Sequence, residues 1–272
     1  MPTVSNDGTE IHYTVDGSGG PVVVAIEGLA YGRWMWRFLT DELDEAFTVL
    51  RPDNRGTGAS ETPPGPYTIE EMATDVRAVV EDYAGPEDDG DGVHLVGASM
   101  GGMIALSYAN SYDDVESLTL LCTSPGGELA APTPPEVLEH IMSAPEDATD
   151  REVIRHRMEP AVSEGFYDRE PDLVDRIVDW RLEGDADDDG REAQAQAVMA
   201  FDSTDWLDEV DVPTLLLHGT EDRVLPVENA DVLADRLPNA TRELIEGGSH
   251  LFFIERRETV NGRIRAFLEE HR

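Results

Sequence analysis

The chain has no lysine, a single cysteine and no apolar run approaching the ~18 residues that cross a bilayer. Each absence closes off a class of protein. With Cys122 alone there is no intrachain disulfide and no metal cluster built on cysteines. Its place at the end of the apolar stretch ESLTLLC reads as a buried structural thiol. All 20 basic residues are Arg, and against 58 Asp and Glu they leave a net charge of −38. No basic stripe offsets that charge, so nucleic acid and anionic lipid are excluded as partners, since either would set like charge against like. The opening MPTVSNDGTE has neither a cationic nor an apolar signal region, and a cytoplasmic protein is expected. The acids are spread along the whole chain, as in a solvated surface, rather than blocked at one end as in an interaction tail. At molar salt the Debye length falls to about 3 Å and self-repulsion is largely screened, so the composition reads as adaptation to the salt-rich cytoplasm of a halophilic source.

What is present fits one large α/β domain with an insertion. Strand patterns near 10–15, 21–26, 47–51, 93–97, 116–122, 213–218 and 240–245 alternate with helix patterns near 35–45, 68–84, 99–111, 227–237 and 255–269. This alternation predicts a mostly parallel central sheet flanked by helices. Thr68 with Glu71 three residues later forms a capping box that opens the second helix. Between Cys122 and Val212 the rhythm breaks. The stretch SPGGELAAPTPP leaves the sheet, and apolar residues such as Leu173, Val174, Ile177 and Val178 then recur at helical spacing. The expected division is an α/β core in 1–125 and 211–272 with a helical cap inserted at 126–210. Two acidic loops stand out, GPEDDGDG at 85–92 and GDADDDG at 184–190. In the second, Asp185, Asp187, Asp189 and Gly190 match the first half of a calcium-binding loop, but Gln196 stands where a bidentate Glu is needed, and no metal site is expected.

The chemistry lies in VHLVGASMGGM at 93–103, an apolar strand running through a small-x-Ser-x-small turn straight into a helix. Gly97 and Gly101 flank Ser99, as a strand reversing into a helix within one residue requires, because a Cβ at either place would clash. Such a turn lifts the Ser99 hydroxyl above the sheet edge and leaves the Met100 amide pointing at whatever that oxygen attacks. A serine hydroxyl needs a base, and the base needs a partner that holds its tautomer. Asp222 in GTEDRVLP and His250 in EGGSHLFF follow successive strands and supply both. Glu221 is the alternative acid, and His218 the second-choice partner of Asp222. A second oxyanion donor is expected in AIEGLAYGRWMW, most simply the Leu29 amide, with Trp34 a candidate wall of the acyl pocket.

With these features together the chain resembles the α/β hydrolase superfamily over essentially its full length. DNRGTGAS at 53–60 is similar to that superfamily's glycine-rich turn, with Asp53 and Arg55 structural. Stretches such as EGLAYGRWMW, GPYTIEEMATDV, FYDREPDLV and GGSHLFFIE look more specifically like 3-oxoadipate enol-lactonases. The resemblance implies an α/β-hydrolase fold and a serine hydrolase of small-molecule carboxylic esters or lactones, using Ser99, His250 and Asp222 without a cofactor. A cofactor-free haloperoxidase or perhydrolase, an acyltransferase, or a non-catalytic ligand receptor on the same fold are the alternatives. One departure matters: the superfamily often has His-Gly where this chain has Glu27-Gly28, and a carboxylate facing the oxyanion would oppose its stabilisation. Either Glu27 points away or the site is weakened.

Overall fold

The computed structural model describes residues 2–17, 19–85 and 92–272, so most of the acidic stretch at 85–92 lies outside the described residues. Eight strands, β1 (Thr3–Asn6), β2 (Thr9–Asp16), β3 (Val22–Ile26), β4 (Thr48–Pro52), β5 (Val93–Ala98), β6 (Val115–Leu121), β7 (Thr214–Gly219) and β8 (Ala240–Ile245), form one sheet. Their spatial order is β1-β2-β4-β3-β5-β6-β7-β8. Pairing is antiparallel from β1 to β2 and from β2 to β4, and parallel at every later step. Parallel neighbours need crossovers, and helices supply them. The helices are α1 (Arg37–Leu43), α2 (Ile69–Ala84), α3 (Met100–Ser111), α4 (Pro135–Met142), α5 (Asp150–Met158), α6 (Phe166–Arg169), α7 (Pro171–Gly184), α8 (Asp188–Ala200), α9 (Glu228–Arg236), α10 (Phe252–Glu255) and α11 (Arg257–Glu270).

The strand period of two divides the core into two layers. Val24, Ile26 and Leu95 pack with Met72, Val76 and Ile104 of α2 and α3, while Val23, Ala25 and Val96 pack with Leu39 of α1 and Ile264 and Phe267 of α11. Apolar residues on both faces explain why the central strands read as near-continuous hydrophobic runs. The capping box at α2 is formed, with the Glu71 amide donating to the Thr68 hydroxyl at 3.1 Å and the Thr68 amide to the Glu71 carboxylate at 2.9 Å.

Two elements differ from the sequence reading. β1 lies outside the sequence reading, because TVSN holds one apolar residue, Val4, among three polar ones and pairs on one side alone, so no hydrophobic alternation marks it. The first helix, expected over 35–45, is a 3-10 turn at Arg33–Trp36 followed by α1, which stops at Leu43. From Leu121 to Thr214 the sheet receives no strand. Helices α4 to α8, short 3-10 turns and an isolated bridge between Gly126 and Asp202 occupy the interval. Among the described residues no helix is long and apolar enough to cross a membrane.

Candidate active site

Ser99 sits between β5 and α3 with φ 55° and ψ −120°, a conformation an L-residue adopts at a cost of order 1–3 kcal/mol. The glycines around it make that backbone possible. A Cβ at Gly97 would overlap the Gly101 carbonyl, and one at Gly101 would overlap the Ile26 carbonyl of β3. The turn is thereby pressed against the neighbouring strand, and the loop after β3 comes with it. A Cβ at Gly28 would stand 3.4 Å from the Ser99 Cβ. Leu29 follows Gly28 directly, and among the described residues neither its amide nor that of Met100 donates a hydrogen bond. The next amide, that of Ala30, donates at 2.7 Å to the side chain of Gln194 on α8, which fixes the loop.

Asp222 and His250 arrive from the loops after β7 and β8, at the same carboxyl edge of the sheet. The His250 Nδ1 lies 2.7 Å from the Asp222 Oδ2, and a carboxylate can only accept, so Nδ1 carries the hydrogen and Nε2 is left able to take a proton. The other oxygen of Asp222 accepts from the amides of Val224 and Leu225 at 2.8 and 2.9 Å. Burial works to raise the Asp222 pKa, but the charge interaction with His250 and the hydrogen bond from His218 outweigh it and hold the carboxyl at about 2. His218 approaches the same Asp222 oxygen as His250, its Nε2 3.3 Å from Oδ2 and 2.9 Å from the Leu225 carbonyl. It supports the acid and does not line the cavity that holds Ser99.

Ser99, His250, Gly28, Leu29, Met103 and Cys122 all line one cavity of about 270 Å³, closed on its other side by residues of α4, α7 and α8. Among the described residues no hydrogen bond joins Ser99 to His250, a contact that commonly tightens only when substrate is bound. A more open cavity of about 780 Å³ has Asp222 on its wall but neither Ser99 nor His250.

Several side chains lie where the sequence could not place them. Cys122 is buried, as expected, yet it belongs to the site: its Sγ and donor atoms of Asp222 and His250 all lie within 4.8 Å of one another. This is the one group among the described residues whose donors could surround a metal ion. Burial, and then the charge of Asp222, push the Cys122 thiol well above its ordinary range, so it stays a neutral filler. Trp34 packs edge-on behind Tyr31 and donates its indole hydrogen to Asp185 at 2.8 Å, so the wall expected from it is made by Tyr31 and Met35. Asp185, first residue of the calcium-like pattern, is buried against Arg181 at 2.6 Å, and Asp187 caps α8 by accepting from the Gly190 amide at 2.8 Å.

Glu27 faces away from the cavity. Its Oε1 accepts from the Asn54 amide at 2.7 Å, and the Asn54 side chain donates back to the Glu27 carbonyl at 3.1 Å. Its Oε2 is buried without a partner. Burial, and then the charge of Asp53, raise its pKa well above the ordinary value. Asp53 pairs with Arg33, and Arg55 grips Asp75 at 2.7 and 2.9 Å, which makes the 53–60 turn a rigid brace under this position.

A family model described as the alpha/beta hydrolase fold matches residues 21–257. The chain is 32% identical over 232 residues to a poly(3-hydroxyalkanoate) depolymerase of Ectopseudomonas oleovorans, covering 85% of this chain and 78% of the depolymerase. In three dimensions it is similar to the enol-lactonase of Burkholderia xenovorans LB400, with a TM-score of 0.83 at 26% identity over 98% of this chain and 100% of the enol-lactonase. It is also similar to Est816, described as an N-acyl homoserine lactone degrading enzyme, with a TM-score of 0.82 at 28% identity over 98% of this chain and 100% of Est816.

Proposed function

This chain belongs to the alpha/beta hydrolase fold family and is a hydrolase enzyme, and on that premise we propose that it cleaves carboxylic esters or lactones through a Ser-His-Asp triad and an acyl-enzyme. The observation that carries this reading is the His250–Asp222 hydrogen bond of 2.7 Å, set on the wall of the cavity that also holds the strained Ser99. In the proposed reaction the Ser99 hydroxyl oxygen bonds to the substrate carbonyl carbon while its proton passes to His250 Nε2. The carbonyl oxygen becomes an oxyanion facing the amides of Leu29 and Met100, a type of contact worth roughly 3 kcal/mol per donor. Asp222 keeps the positive charge on His250 favourable. Collapse breaks the bond to the alkoxy oxygen, which takes the proton from His250. Water then gives a proton to His250 and its oxygen to the acyl carbon, and the acid leaves as Ser99 recovers its hydrogen.

We propose the enol-lactonase-like end of the family as the neighbourhood of the substrate, residues 126–210 as a cap over the site, and the salt-rich cytoplasm of a halophile as the setting. Ser99→Ala is expected to lower kcat on 4-nitrophenyl acetate by at least about a thousandfold, and a fluorophosphonate probe is expected to label the parent protein on Ser99. Unchanged turnover in that variant would overturn the mechanism.

A further inference from the structure

The Ser99 cavity is walled mostly by apolar side chains, but three arginines also line it, Arg157, Arg181 and Arg191. In a chain with 58 acids and 20 Arg, three cations around one small cavity run against the composition. Their neutralisation is unequal. Arg181 is buried and its charge is matched by Asp185 at 2.6 Å. Arg157 donates its Nε hydrogen to the Ser143 carbonyl at 3.2 Å, and its one carboxylate partner among the described residues is Asp188, 3.8 Å away on a side chain that is 92% exposed, a distance and exposure at which water screens most of the attraction. Arg191 has no ion pair or side-chain hydrogen bond among the described residues, and its Nε is buried without a partner.

Arg191 is half-buried, and leaving its buried Nε–H without an acceptor is costly. Burial, and then the charges of Arg181 and Arg157, lower the Arg191 pKa from its ordinary value, against a smaller opposing pull from Asp185. What the wall lacks is negative charge and hydrogen-bond acceptors together, and a carboxylate brings both in the planar, two-oxygen form that fits a guanidinium fork. Position supports this. On α8 the cavity face runs Arg191, Ala195, Val198, Met199, so the cation ends an apolar stripe along which an aliphatic chain could lie. A volume of about 270 Å³ suits a short tail.

We infer that Arg191, with Arg157 beside it, binds a carboxylate at the end of the substrate, so that the enzyme prefers esters or lactones bearing a free acid to their neutral counterparts. This rests on the reading of Ser99 as nucleophile. The test compares 4-nitrophenyl hydrogen glutarate with 4-nitrophenyl valerate, which places a carboxylate or a methyl group at the same distance from the reacting carbonyl, at one fixed ionic strength. The parent protein is expected to favour the glutarate ester at least tenfold in kcat/KM. Arg191→Gln is expected to lose at least tenfold more in kcat/KM on glutarate than on valerate, and Arg191→Lys to keep part of the preference. No preference in the parent protein, or an equal loss on both esters in Arg191→Gln, would overturn the assignment. A binding arm separates this from failure of the nucleophile: valerate anion, followed by calorimetry on Ser99→Ala, is expected to bind at least tenfold more weakly once Arg191→Gln is added. If valerate ester turnover survives Ser99→Ala while this binding difference holds, the mechanism fails and the anion site stands. Equal binding with and without Arg191 overturns the site whatever the esters do.

Discussion

Glu27 shows how a single side chain can look harmful in sequence and be harmless in the fold. A carboxylate next to an oxyanion donor should oppose catalysis, but the Asn54 amide holds its Oε1 at 2.7 Å, away from the cavity, and burial pushes its pKa up, against the charged form. Glu27→Gln is therefore expected to leave kcat/KM within about threefold, and a tenfold rise, roughly 1.4 kcal/mol, would show that the carboxylate does face the reacting oxygen. The same residue sets a pH dependence of stability. A group whose folded pKa lies above its unfolded value contributes fully below the unfolded value, near 4.5, and loses that contribution as pH rises toward the folded one. Thermal melts should thus show Glu27→Gln gaining on the parent protein between pH 5 and pH 8, with the two converging near pH 4. Parallel curves would mean that Glu27 ionises normally in the fold. Cys122, Trp34 and Arg191 belong to this scale as well. Each is legible as a residue type, yet what it touches is set by chain segments far away in sequence.

At the scale of elements, the parts with strong local signals could be read directly. α2 announces itself through Thr68 and Glu71, the central strands through apolar runs, and the turn at Ser99 through its two glycines. β1 is hidden because its one apolar residue, Val4, makes no period, and the segment gains a structure only by pairing with β2. The junction of β5 and α3 is where local pattern and chemistry coincide, since the strained Ser99 backbone persists only while Gly101 lets α3 lie against the Ile26 carbonyl. Gly101→Ala must push that helix start away from β3, and with it the Met100 amide from the Leu29 loop. A loss of about 1–3 kcal/mol in urea unfolding is expected, together with at least a tenfold fall in kcat. A folded Gly101→Ala protein with full activity would show that the close approach is not what holds the site.

For the whole molecule, charge dominates. With a net −38 on 272 residues, the surface repels itself wherever the Debye length spans neighbouring acids, and raising salt should relieve that strain. The melting temperature is expected to rise by at least about 5 °C between 0.1 and 2 M NaCl, more than 1 kcal/mol for a chain of this size, and by less in a neutral osmolyte at matched concentration. A flat salt response would sink the idea that self-repulsion limits stability. This anionic field also sharpens the meaning of Arg191, because three arginines lining one cavity stand out against a surface that repels anions. The amino-acid sequence by itself determined the alternating strands and helices, the helical interval before β7, the excess of acid and the order of Ser99, Asp222 and His250, since all of these are written in periodicity, turn chemistry and composition. Only the tertiary structure decided where Glu27 points, which aromatic rings wall the cavity, that Cys122 lies beside Asp222 and His250, and that three arginines line the cavity that holds Ser99. Those outcomes depend on contacts between segments separated by tens to more than a hundred residues, which no local pattern encodes.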